Sequence, residues 1–276
     1  MNVLKAINNN VVSCLDEHGK ELVVMGKGLG FQAKPGDPLN TKLVEKIFRM
    51  DSPETMTRLK DTFARLPEPL LELCSGIIDS ANQVLGRRLN ESIYLTLTDH
   101  IQFAIERSRL GLDMHNALDT EVRVFYPEEY ALGKLALQRI REQMQVSLSE
   151  NEAASIALHL VNAEYGSTMN TTMKVAMVLQ PIMSIVESWP GLRLDKSLLF
   201  YDELIVHLKF MAMQVFSGQV HKWEDPQLLC GVKTSIPDAC ACAHAVATYL
   251  YKQSGNEIPA VEQAYLAICI RRCCIL

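Results

Sequence analysis

No apolar run in the 276-residue chain approaches the roughly 20 residues needed to span a bilayer. The opening Met1-Asn2-Val3-Leu4-Lys5 lacks the basic-then-apolar layout of a secretory signal. A cytosolic protein is therefore expected. Positive charge is not in excess either: 27 Lys and Arg stand against 32 Asp and Glu, a net charge of −5. Residues 1–55 are neutral on their own, with seven side chains of each sign. No excess of positive charge advertises a nucleic-acid binder, and any nucleic-acid contact must rest more on shape and a few local groups than on a broad basic patch. Cys-x-x-Cys pairs and histidines four residues apart are both missing, so no metal is expected. Gly26-Lys27-Gly28-Leu29-Gly30 lacks the spacing of a phosphate loop, and no cofactor is expected. The eight cysteines point to reduced, buried thiols, because a chain that is 48% hydrophobic needs no covalent staples.

What is present changes character along the chain. The first 35 residues hold four short apolar runs: Val3–Ile7, Val11–Leu15, Glu21–Met25 and Leu29–Gln32. Asn8-Asn9-Asn10, Asp16–Lys20 and Gly26-Lys27-Gly28 separate them, and each is turn chemistry. Four strands at such spacing predict an antiparallel meander. A sheet this small has too little core to be secure alone, so dimerisation through it is expected. A charged segment, Glu54 to Asp61, then leads to Leu66-Pro67-Glu68, where helical periodicity begins. The remainder is all-α, with turns expected near Gly86, Gly111, Gly133, Gly166, Gly191, Gly218 and Gly255.

That helical body contains an internal repeat. Leu97 to Phe103 resembles Leu204 to Phe210, 107 residues on (207 − 100 at the histidine). Glu152 to His159 resembles Glu262 to Cys269, and Pro127-Glu128 resembles Pro237-Asp238, both 110 residues on (269 − 159; 237 − 127). Leu89–Ser92 and Leu194–Ser197 complete the series. The expected organisation is multidomain: a small antiparallel β-sheet domain over 1–55, a linker over 56–64, and two all-α helical-bundle domains over 65–170 and 171–276. A single histidine on an apolar helix face is usually a satisfied core residue. Recurrence at His100 and His207 changes the balance, because core positions more often repeat as aliphatic residues. Imidazole near pH 7 suits a metal ligand, a general base or a phosphoryl acceptor.

At this point the residues resemble a known family. Lys5, Asn8-Asn9-Asn10-Val11-Val12 and Glu21 through Phe31 are similar to the co-antiterminator RNA-binding domain of the BglG/SacY antiterminators. Ser92–His100, Ala157–Glu164 and Val206–Phe210 resemble its phosphotransferase regulatory domains. The resemblance implies a homodimer whose sheet domain binds an RNA hairpin, the ribonucleic antiterminator, in nascent mRNA and so blocks a competing terminator. RNA contacts are implied at Lys5, Asn8, Asn10, Gly26, Lys27 and Phe31: amides for base edges, an aromatic face for stacking, lysines for phosphate and glycine for close backbone approach. Phosphorylation is implied at His100, His159 and His207, with the phosphocarrier HPr and a sugar permease (enzyme II) as donors. The first helical domain would carry the inhibitory permease signal and the second the activating one.

Cys269 departs from that pattern, standing where a fourth histidine is expected, so activation through the second domain would rest on His207. Asp99 is a candidate to orient His100. Two rival classes differ in what they require. A DNA-binding regulator needs a helix-turn-helix, which residues 1–55 do not show. A phosphohistidine transfer protein would use the same histidines, but no nucleotide site or paired Mg²⁺ carboxylates accompany them.

Overall fold

The computed structural model of the chain describes residues 1–49, 52–112, 114–220 and 225–275. Strands β1 (Asn2–Ala6), β2 (Val11–Leu15), β3 (Glu21–Met25) and β4 (Lys46–Phe48) form one antiparallel sheet in the order β1-β2-β3-β4. The β2–β3 hairpin is in register from Val11↔Met25 to Leu15↔Glu21. Asp16 closes it, its Oδ1 accepting from the backbone N–H groups of His18 and Lys20 at 2.8 and 2.9 Å. Three of the four expected strands are therefore found, but Leu29–Gln32 is not the fourth. That segment coils through consecutive turns, with Leu29 N donating to Gly26 O at 3.0 Å and Phe31 N to Gly28 O at 3.1 Å. Its glycines explain the difference. A Cβ at Gly26 would lie 1.7 Å from the Leu43 carbonyl oxygen and one at Gly30 2.0 Å from that of Asn8. Lacking those side chains, the segment folds tightly against its neighbours, and β4 takes the fourth place in the sheet.

Period-two alternation gives the sheet two buried faces. On one, Val3, Val12, Cys14, Leu22 and Val24 pack beneath Leu29 and Leu39 of the long β3–β4 connection. On the other, Val11, Val23, Met25 and Phe48 meet helices. The first of these helices is α1 (Pro53–Arg65), which occupies the stretch expected as a linker. Ser52 caps it, accepting from Thr55 N at 3.2 Å, and Pro53 provides a pre-set first turn. Met56, Leu59, Thr62 and Phe63 recur at helical spacing and are all buried. The charges of this segment lie on its outer face and mask an apolar stripe. Phe63 sits edge-on to Phe48 with ring centroids 5.5 Å apart, fastening the helix to the sheet.

The repeat emerges as matched helices. The first set is α2 (Glu68–Leu85), α3 (Ile93–Arg109), α4 (Asp119–Phe125), α5 (Pro127–Met144) and α6 (Glu152–Tyr165). The second is α7 (Met169–Glu187), α8 (Leu199–Ser217), α9 (Pro226–Ser235), α10 (Pro237–Ser254) and α11 (Ala260–Arg272). The matched Pro127 and Pro237 both open helices, as proline at a first helical position should. The turn expected at Gly133 does not form. This residue lies inside α5, where a Cβ would stand 2.2 Å from the Ala153 carbonyl oxygen of α6. Two compact units result, Met1–Asn116 with Glu128–Gly166 and Ala117–Pro127 with Ser167–Leu276. The sheet thus shares a unit with the first helical set, while α4 belongs to the second unit. No helix among the described residues is long and apolar enough to cross a membrane.

Candidate functional site

One end of the sheet, where the β1–β2 turn meets the coil after β3, gathers most of the residues expected to meet RNA. The Asn8–Asn10 turn is pinned to the 26–31 coil by Gly26 N donating to Asn10 O and Gly30 N to Asn9 O, each at 2.9 Å. Asn10 adds a side-chain bond, its Oδ1 accepting from Gly28 N at 2.7 Å. Asn8, Asn10, Gly26 and Lys27 line a small cavity of about 70 Å³ together with Glu45 and Glu68. Lys5 on β1 and Phe31 lie outside that cavity. Both are exposed, and Phe31 is 66% so, which leaves its ring bare. Lys27 is exposed as well.

The asparagines are otherwise engaged. Asn8 Nδ2 donates to the Phe63 carbonyl of α1 at 3.0 Å, and its Oδ1 accepts from Asn10 N at 2.9 Å. Asn10 Nδ2 donates to the Glu68 carboxylate at the start of α2. Nearby, Lys46 of β4 bonds Ser75 and pairs with Asp79 at 2.7 Å, both on α2. Glu68, Lys46 and Asp79 are thus part of the neighbourhood although sequence reading did not single them out. Nothing local signals their meeting, because 58 residues separate Asn10 from Glu68. The described residues of 1–49 hold strands and one short 3₁₀ turn (Thr41–Leu43), with no recognition helix for a DNA groove.

The second set of candidate residues lies in the helical repeats. His100 on α3 and His159 on α6 face each other with ring centroids 4.8 Å apart and planes tilted by 38°. The carboxylate that meets His100 is Glu152, not its chain neighbour Asp99: His100 Nε2 lies 3.0 Å from Glu152 Oε2. Arg107 holds the other oxygen of Glu152 at 2.7 Å. Glu152 is only 6% exposed, and burial acts to raise its pKa, yet the close imidazole of His100 and the bonded guanidinium of Arg107 hold it below the ordinary carboxylate range. His159 has no such partner. Its Nδ1 is sealed from solvent without a hydrogen bond, and burial, reinforced by His100, pushes the imidazole down to about 3.

His207 on α8 occupies the place of His100 in the second repeat, but with different company. The ring against it is Tyr265 of α11, edge-on with centroids 4.7 Å apart. His207 Nε2 is sealed and unpartnered, and burial pushes this imidazole down to about 4. Cys269, one helical turn beyond Tyr265, is buried, and burial raises its thiol pKa. All eight cysteines are free. Glu152 and Tyr265 escaped sequence reading although both lie within the matched segments; the repeat marked their positions but not what they would touch.

Comparison with known proteins defines the class. Residues 1–57 match the CAT RNA binding domain, and residues 75–163 and 180–272 each match the PRD domain. The molecule is therefore an RNA-binding module joined to a duplicated regulatory domain. Over 272 residues it is 40% identical to the transcription antiterminator LicT of Bacillus subtilis (strain 168), an alignment covering 99% of this chain and 98% of that one. It is 39% identical to the beta-glucoside operon antiterminator of Dickeya chrysanthemi, with 99% and 96% covered. The crystal structure of GlcT CAT-PRDI superposes with a TM-score of 0.53 at 34% identity, covering 59% of this chain and 96% of that one. The chain belongs to the family of LicT-like transcription antiterminators.

Proposed function

We propose that the chain acts in the cytoplasm as a homodimer that holds an RNA antiterminator hairpin against the end formed by residues 8–10 and 26–31. The observation that carries this reading is the pinned pair of turns, which sets rigid backbone and an exposed lysine beside a bare aromatic ring. Lys5 and Lys27 would meet phosphate, Asn8 and Asn10 base edges, and Phe31 would stack, while Gly26 permits close approach. The side-chain amides of both asparagines are bonded to α1 and α2 in the conformation described, so engaging RNA through them exchanges those bonds.

Control would come from phosphoryl groups delivered by HPr and by an enzyme II permease to His100, His159 and His207. Each phosphoryl group brings nearly two negative charges into a half-buried helical setting, enough to shift the packing of neighbouring elements. Cys269 has no such role, because a thiol kept protonated by burial is a poor phosphoryl acceptor. A gel-shift titration of the full chain against a structured RNA hairpin and a DNA duplex of the same length tests the reading. Selective, saturable binding of the hairpin is expected. Equal affinity for both nucleic acids at matched salt would refute it.

A further inference from the structure

The first helical set places two imidazoles and one buried carboxylate together, and the three are not equivalent. Glu152 Oε2 stands 3.0 Å from Nε2 of His100, while the other oxygen is fixed by Arg107 at 2.7 Å. That nitrogen of His100 is sealed from solvent and meets Glu152 Oε2 at ion-pair distance without hydrogen-bond geometry, so the carboxylate acts on it through its charge; Nδ1 is not among the sealed, unpartnered atoms. In His159 the sealed nitrogen is Nδ1, and it faces no acceptor. We propose that Glu152 is a positioning residue: it keeps the ring proton of His100 on Nε2 and so directs an incoming phosphoryl group to Nδ1. This rests on the reading above that the helical domains accept phosphoryl groups.

The chemistry follows from the charges. A neutral imidazole carries one proton, and the nitrogen without it is the nucleophile. A carboxylate at 3.0 Å favours the proton on Nε2 and repels a phosphoryl dianion there. The lone pair on Nδ1 then attacks phosphorus, an N–P bond forms, and the bond from phosphorus to the donor nitrogen breaks with its electron pair leaving on the donor. The product ring bears phosphate on Nδ1 and a proton on Nε2, and Glu152 compensates that proton. His159 lacks this compensation, since phosphate on its Nε2 would leave a proton-bearing Nδ1 sealed beside no acceptor. Two dianions on rings 4.8 Å apart would also repel strongly. The pair therefore holds one phosphoryl group, on His100, which narrows the three acceptors named above to His100 and His207. His207 has a sealed and unpartnered Nε2, and among the described residues no carboxylate pairs with it.

The test uses the full chain carrying ¹⁵N-labelled histidine and phosphoramidate as donor, which transfers its phosphoryl group and releases ammonia. Long-range ¹H–¹⁵N correlation spectra at alkaline pH distinguish phosphate on Nδ1 from phosphate on Nε2, and His100→Gln assigns the His100 signal. Wild-type protein is expected to carry Nδ1-phosphate at His100 and none at His159. Glu152→Gln should slow labelling of His100 by about tenfold or more, as loss of an orienting partner typically does, and should divide the phosphate between the two nitrogens. His207, on the other unit, should label at an unchanged rate and shows that the variant is folded. A merely structural Glu152 would alter the rate without altering the nitrogen. Phosphate on Nε2 of His100, preferential labelling of His159, or an unchanged Nδ1 share in Glu152→Gln overturns the proposal while leaving the phosphoacceptor reading intact. No phosphohistidine in the folded chain, when a denatured control is labelled, overturns that reading and the proposal with it.

Discussion

Replacing His159 with leucine should make the protein less sensitive to acid. In the folded chain burial holds this imidazole neutral down to about pH 3, whereas an unfolded histidine binds its proton near pH 6.5. Below about pH 6.5 the unfolded state therefore takes up a proton that the folded state refuses. The sign is fixed by that difference: stability is intact above the unfolded value, falls as pH drops, and levels off near the folded value. The slope between those limits is roughly 1.4 kcal/mol per pH unit for one such group. At about pH 5 the loss from His159 alone comes to about 2 kcal/mol, a substantial part of a typical domain's stability. Leucine at this position removes the proton site and forfeits no hydrogen bond, because Nδ1 of His159 has no partner. Urea denaturation at about pH 7.5 and pH 5.0 measures the effect. Wild-type stability should fall by about 2 kcal/mol more than that of His159→Leu. Parallel losses in the two proteins would show that His159 is not held neutral and that its burial has been misjudged.

Three further outcomes are expected. Phe31→Ala should weaken RNA binding about tenfold, the worth of one base–aromatic stack of roughly 1–3 kcal/mol, without changing the melting temperature, since the ring is 66% exposed; filter binding and a thermal melt together check this. Glu68→Ala frees the Asn10 amide and should tighten RNA binding severalfold in the same filter assay, with weaker binding counting against Asn10 as a contact. Phe63→Ala should destabilise the protein by about 3–5 kcal/mol, because the ring is 1% exposed and joins α1 to the sheet; a loss under about 1 kcal/mol in chemical denaturation would mean that α1 is not part of the core.

Legibility in the sequence followed the range of the interactions. The strands Val11–Leu15 and Glu21–Met25 are legible because short apolar runs bounded by turn residues are local signals. The helical repeat was legible because duplication leaves its own trace, whatever each residue touches. The fourth strand was missed because Lys46–Phe48 is only three residues long and gains its place by pairing with β3, not from its own pattern. Residues 56–64 read as a linker in the sequence because the charges of Arg58, Lys60 and Asp61 mask the helical spacing of Met56, Leu59 and Phe63. At the histidines, sequence supplied the nucleophiles but not their surroundings. Asp99 was the obvious carboxylate by adjacency, yet consecutive residues on a helix point about 100° apart, and the group that reaches His100 comes from another helix.

Gly133 shows how far such surroundings depend on something absent. By helix propensity it is a weak point, about 1 kcal/mol worse than alanine in mid-helix. Its bare backbone nevertheless sets the gauge between α5 and α6, since the Ala153 carbonyl oxygen fills the space a Cβ would occupy. Glu152 is the residue immediately before Ala153, at the first turn of α6. A methyl group at 133 would have to push that turn outward, and the carboxylate would travel with it. A hydrogen atom where other residues carry carbon thus works as a spacer gauge, and the tolerance it imposes is passed along the chain to a carboxylate held 3.0 Å from an imidazole nitrogen.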